Sequence, residues 1–239
     1  MKADRARRPV VGVMLQSKEG FVEAGPEELA AGERSMWPAN NPDFWPVPLR
    51  TAVAENTDTP SMVAAAPAAV RGVVAAARRL DEHVDLIVGG CGFMWAARDR
   101  LAGATSTPVI ASTLDLLDFV LGMSSQPVGV ITYSAAALGE LVEEHPERAR
   151  IRLLGLDELP AWSALGRTDY VARGGWSRAE LGRELVGRLA ESLCDGGELA
   201  AVNAILVECA AVPVFRAEIR SVTPLPVFDV FSLAAAAMA

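Results

Sequence analysis

The pattern of this chain is written twice, and that duplication limits what it can fold into. A strand-like run PVVGVML (Pro9 to Leu15) is answered by QPVGVIT (Gln126 to Thr132). DLIVGGCGF (Asp85 to Phe93) is answered by NAILVECAA (Asn203 to Ala211), and TPVIAST (Thr107 to Thr113) by TPLPVFDVF (Thr223 to Phe231). Gly12 precedes Cys91 by 79 positions and Gly129 precedes Cys209 by 80. The repeat predicts two similar lobes of about a hundred residues each, with one thiol at the same address in both.

Short apolar runs alternate with longer amphipathic stretches, which reads as a parallel α/β architecture. Strands are expected at Val10 to Leu15, Leu86 to Gly89, Val109 to Ala111, Val128 to Thr132, Ile151 to Leu154, Ala204 to Glu208 and Pro226 to Phe228. Their unbroken apolar character suits strands covered on both faces. Helices are expected at Met62 to Leu80, Asp115 to Leu121, Ala135 to Glu144, Arg178 to Leu193 and Ser232 to Ala239. The implied fold is two pseudo-symmetric α/β lobes, each a short parallel sheet flanked by helices. Lobe 1 takes residues 9–115 with 232–239, lobe 2 takes 116–231, and the basic residues 1–8 form a disordered tail. Between Gln16 and Ser61 the chain is rich in Pro, Asn, Asp and Trp. A long aromatic loop there, with Trp37, Phe44 and Trp45, is suited to wall or cover a site. Arg173 to Trp176 is a candidate hinge.

With 51% hydrophobic residues among 239, the chain has ample material for a large core. Acidic residues outnumber basic ones by 30 to 22, which argues against nucleic acid as a partner. No run approaches the roughly 18 apolar residues of a membrane span. The basic start is followed by too short an apolar run for a signal peptide. Three cysteines without a secretion signal point to the cytoplasm and to reduced thiols.

Ligands of open parallel sheets gather beyond the carboxyl ends of the strands, where helix N-termini present backbone amides. Cys91 and Cys209 both fall there. A thiol in that position ionises more readily than the usual pKa of about 8.5 allows. A single strand-end cysteine would ordinarily be a small buried hydrophobe, and it is the equivalence of two that points to catalysis. Cys194 precedes a Gly-Gly turn, has no counterpart in the other half and is expected to be inert. A cysteine hydrolase needs a histidine at the thiol. His83 and His145 both lie toward the opposite end of the sheets. The glycines around Cys91 lack the third member of a dinucleotide fingerprint, and no zinc-ligand spacing is present. Neither metal nor organic cofactor is expected.

GGCGF (Gly89 to Phe93), ITYSAAAL (Ile131 to Leu138), LVECAAVPVF (Leu206 to Phe215) and PLPVFDV (Pro224 to Val230) resemble the aspartate/glutamate racemase superfamily. That superfamily also holds hydantoin racemases, arylmalonate decarboxylases and maleate cis–trans isomerases. The resemblance runs from Pro9 to about Leu233, and NPDFWPVPLR (Asn41 to Arg50) is similar to a racemase-like branch. It implies an active site in the cleft between the lobes, with Cys91 and Cys209 an acid/base pair on opposite faces of a substrate α-carbon. It implies substrate contacts from Thr132, Tyr133 and Ser134, from the symmetry-related Gln16 and Ser17, and from the amides of Gly92 and Phe93. Dimers are common among such proteins, so a homodimer is an expectation. Relatives usually carry a threonine after the second thiol. Here Ala210 and Ala211 follow it, which disfavours free aspartate or glutamate and suits a less polar acid or cyclic amide.

The expected function is therefore a cofactor-independent racemase or epimerase of a small carboxylate or cyclic amide. A decarboxylase or maleate-type isomerase, and a non-catalytic small-molecule binder, are the rivals. Arg50 is the candidate anion partner. Glu208 is expected to make a structural hydrogen bond, and Asp229 to cap the last helix.

Overall fold

A computed structural model describes residues 8–18, 21–22, 37–165 and 177–239. The candidate hinge at Arg173 to Trp176 and residues 1–7 of the expected tail lie outside the described residues. Among the described residues there are nine strands: β1 Val11–Lys18, β2 Phe21–Val22, β3 Leu49–Ala54, β4 Leu86–Gly89, β5 Val109–Ile110, β6 Val128–Thr132, β7 Ile151–Gly155, β8 Ala204–Val207 and β9 Val227–Asp229. The helices are α1 Thr59–Val63, α2 Pro67–Leu80, α3 Arg98–Leu101, α4 Leu117–Gly122, α5 Ala135–Leu141, α6 Pro160–Leu165, α7 Arg178–Leu193, α8 Arg216–Val222 and α9 Val230–Met238.

The strands form two sheets of one design. The first runs β3-β1-β4-β5 in parallel, with β2 added antiparallel to β1; the second runs β7-β6-β8-β9. Register reproduces the repeat residue by residue. Gly12 pairs with Ile87 as Gly129 pairs with Ile205, and Met14 pairs with Gly89 as Ile131 pairs with Val207. Both glycines are small for the same reason. A Cβ on Gly12 would meet Leu80 and Val84, and one on Gly129 would meet Leu199 and Val202.

Packing joins the lobes. One core runs from Met14, Ile87 and Phe93 through Leu114 and Leu117 to Val130, Leu138 and Leu206. Helix α9 returns from the second sheet to the first, where Val230, Phe231 and Ala234 pack with Val11, Val13 and Val88. Asp229 caps it, accepting from the Ser232 amide at 2.7 Å, as expected. On the outer face of the second sheet, α7 buries Leu181, Leu185 and Leu189, a four-residue stripe that gives one apolar face. Each such leucine contributes about 1.5–3 kcal/mol by burial.

Three expectations are revised. The single helix expected over Met62 to Leu80 is two, because Ala65 takes a left-handed φ of 47° and Pro67 opens the second helix at its first turn. The segment Gln16 to Ser61 is not all loop. It contains β3, an edge strand that pairs only with β1 and whose half-exposed residues lack a clear alternation. Its aromatic part is packed in place rather than standing free as a cover. Trp45 is buried, its indole N–H donates to the Pro38 carbonyl at 2.9 Å, and its ring meets Phe44 and Phe231 edge-on.

Gly89 shows how tightly the strand ends are drawn together. A Cβ there would lie 2.0 Å from the Ala111 carbonyl oxygen, a backbone atom that cannot swing away. Gly89→Ala is expected to cost about 1–3 kcal/mol or more through overpacking. A lower urea midpoint at unchanged slope would show it.

Candidate active site

Each thiol stands two residues beyond the end of its strand. Gly90 N–H donates to the Met14 carbonyl and Glu208 N–H to that of Ile131, both at 2.8 Å, so these two residues are equivalent and Cys91 and Cys209 follow them. Each cysteine carbonyl then accepts from the amide three residues on, Met94 and Val212, both at 3.0 Å. The result is the same tight turn in both lobes, entered by a half-buried cysteine. The first turn starts without a side-chain cap, so its leading amides at Gly92 and Phe93 have no partner within the turn. That leaves them suited to receive negative charge.

The two turns touch. A Cβ on Gly92 would fall 2.6 Å from the Glu208 carbonyl oxygen and 2.0 Å from Glu208 Oε1. Glycine at position 92 is what allows the residue before Cys209 to lie flush against the residue after Cys91. Ala39 closes over the same region, 3.4 Å from where a Cβ on Gly90 would be. Trp37 packs on the second lobe's outer core, which Cys209 and Ala211 also join.

Tyr133 belongs to this junction. Burial, then Asp157 and the Cys209 sulfur, push its phenol above the usual range. It therefore remains a neutral O–H donor near the second thiol. Ser134 is half-buried and caps α5, its hydroxyl accepting from the Ala137 amide. Gln16 and Ser17 end the matching strand of lobe 1 and are tied to Thr57, Gln16 through its side-chain amide and Ser17 through its backbone.

Other expected contacts are not assembled. Thr132 is fully buried and its hydroxyl donates to Glu208 Oε2 at 2.7 Å, so it supports Glu208 from below instead of meeting a substrate. Arg50 is exposed and pairs with Gly12 near the start of β1, at the opposite end of the sheet from Cys91. It is removed from the candidate site by the strand direction itself. The Phe93 ring is in the core between the lobes, leaving only its amide to serve. Ala210 packs on the cluster of Trp45 and Phe231.

The histidines stand away from the thiols. His83 is exposed, and His145 Nε2 lies 3.1 Å from Asp118. Cys194 is exposed and its sulfur donates to the Ala190 carbonyl at the end of α7. A surface hollow of about 590 Å³, lined by Arg98, Ile110, Asp115 and Leu233 among others, lies along the β5 edge and includes neither thiol. Among the described residues, no group of three or more acidic, histidine or cysteine side chains is placed to hold a metal. No helix among them is long and apolar enough to cross a membrane.

Glu208 makes its expected structural hydrogen bond, to Thr132, and also carries a buried Oε1 against Gly92 that has no hydrogen-bond partner among the described residues. Burial pushes its carboxyl up to about 7, opposed by the Thr132 hydrogen bond. A usable signal existed in the repeat, since a carboxylate ends a buried strand where the other copy has Gly90.

No family model matches the sequence. The chain is 30% identical over 162 residues to dimethylsulfoniopropionate lyase 6 of Emiliania huxleyi (strain CCMP1516), covering 63% of this chain and 41% of that protein. It is 26% identical over 154 residues to lyase 7 of the same strain, covering 60% and 43%. It thus spans about two fifths of the length of these curated relatives. Among solved structures it is similar to allantoin racemase from Pseudomonas fluorescens, with a TM-score of 0.56 and 14% identity, covering 96% of this chain and 88% of that one. It is likewise similar to glutamate racemase from Francisella tularensis in complex with D-glutamate, with a TM-score of 0.53 and 14% identity, covering 97% and 79%. At these identities the likeness is one of fold: the chain shares the two-lobe α/β fold of these racemase structures.

Proposed function

From that shared fold, we propose that the protein is a cofactor-independent racemase or epimerase that moves a proton at the carbon next to the carbonyl of a small carboxylate or cyclic amide. The observation that carries this reading is the pair of equivalent thiol turns in contact through Gly92 and Glu208. One thiolate takes the α-proton, the electron pair delocalises into the carbonyl as an enolate, and the opposite thiol returns a proton to the other face. The uncapped amides at Gly92 and Phe93 supply fixed donors for the developing oxyanion, a contribution often among the largest in such chemistry. Tyr133 adds a neutral hydroxyl on the side of Cys209.

A second reading is favoured by the similarity to the dimethylsulfoniopropionate lyases. Elimination begins with the same α-proton removal. The electron pair then forms a carbon–carbon double bond while the bond from the β-carbon to the sulfonium group breaks. This route needs one thiol as base. The small, apolar Ala210 and Ala211 fit a substrate without a polar α-substituent.

The test is NMR in D2O across amino acids, hydantoins, 2-aryl acids and dimethylsulfoniopropionate. Deuterium appearing at a chiral α-carbon of intact substrate supports the racemase reading. Loss of the sulfonium group with a new alkene signal supports elimination. No exchange and no elimination in the whole panel would count against both.

A further inference from the structure

Proton transfer between the thiols leaves Glu208 without a task, yet its placement is specific. It replaces Gly90 of the first lobe, so the carboxyl exists in one copy of the repeat only. The residue is 2% exposed. Oε2 accepts the Thr132 hydroxyl, and Oε1 has no hydrogen-bond partner among the described residues. Oε1 rests on Gly92, the residue after Cys91, while the next residue along its own chain is Cys209. A single carboxyl therefore adjoins both thiol turns from inside the protein.

We propose that Glu208 is a positioning residue that sets the ionisation of Cys91 and Cys209, permitting a thiolate while its carboxyl is uncharged and suppressing one when it is ionised. This rests on the reading that these two thiols are the reacting groups. The physical basis is that a second negative charge close by in a dry setting disfavours the first. Burial keeps Glu208 protonated up to about 7, close to where the thiols would begin to ionise. Such groups titrate as a coupled set. The groups facing it from neighbouring elements do not cancel its charge. Thr132 on β6 is neutral, and Tyr133 beside it is held as the phenol. Asp157 beyond Tyr133 is acidic, and Asp229 on β9 is engaged by Arg216. Cys91 and Cys209 are the thiols in question.

The experiment follows alkylation of each cysteine by iodoacetamide against pH, resolved by mass spectrometry. It uses the 239-residue chain without substrate, and Cys194 serves as an exposed control in the same sample. In Glu208→Gln the alkylation midpoints of Cys91 and Cys209 should fall by at least about 1 pH unit, roughly a tenfold rise in thiolate at a given pH, with Cys194 unmoved. Thr132→Val removes a donor to the charged carboxylate, extends the range over which Glu208 is neutral, and should shift both midpoints the same way by less. Unmoved midpoints in folded Glu208→Gln would overturn the proposal. If that variant fails to fold, unmoved midpoints in Thr132→Val would do so. Shifted midpoints in a protein that exchanges no substrate would sustain the proposal while removing the functional reading.

Discussion

Cys91→Ser and Cys209→Ser should each lower α-carbon proton exchange by about 10²–10⁴-fold, the usual contribution of a positioned acid or base. Serine preserves the size of the side chain and the turn around it. Its hydroxyl stays protonated at any pH where the protein is folded, so it cannot serve as the base. The two variants distinguish the readings of the site. A racemase needs both thiols, one for each face, and each variant should lose racemisation in both directions. Elimination needs only the base, so one variant should retain it at near wild-type rate. Cys194→Ser should behave as wild type, because that sulfur is exposed at the end of α7. Deuterium NMR on the three variants, with matched thermal melts, reads all of this. Full exchange in both Cys91→Ser and Cys209→Ser would exclude thiol catalysis.

Glu208 predicts a stability effect of comparable diagnostic value. Its folded pKa is raised from 4.5 to about 7 by burial. The stability linked to its proton is fully present below about pH 4.5 and is lost as pH rises through about 7. At 1.36 kcal/mol per pKa unit, the change across that window is about 2–4 kcal/mol. Glutamine has no proton to lose. The difference in unfolding free energy between wild type and Glu208→Gln should therefore move in favour of glutamine by that amount between pH 4.5 and pH 7. Urea denaturation at several pH values measures it. Parallel pH profiles for the two proteins would mean that the carboxyl is not held neutral in the folded state.

Much of the architecture is legible in the chain because it depends on neighbours. The bounds expected for α7, Arg178–Leu193, are those observed, since its apolar stripe and the Ser177 cap lie within a few turns of each other. Strands β4 and β6 have the expected limits because strands covered on both faces read as unbroken apolar runs. Strand β3 was hidden because an edge strand is only half covered and here follows a proline-rich stretch. Arg50 was misplaced with it. Once β3 is a parallel strand, the residue near its start must lie at the end of the sheet away from the thiols.

The sequence by itself determined that the chain is a duplicated α/β unit with a cysteine after the same strand in each copy. Hydrophobic periodicity and residue spacing are local properties, and the repeat doubled the signal. Only the tertiary structure decided that Thr132 turns inward to Glu208, that Glu208 lies on Gly92, and that the two thiol turns meet there. Those contacts join residues 76 to 116 positions apart. They arise from how the two sheets pack together, and no pattern within either lobe specifies which atoms of the other it will touch.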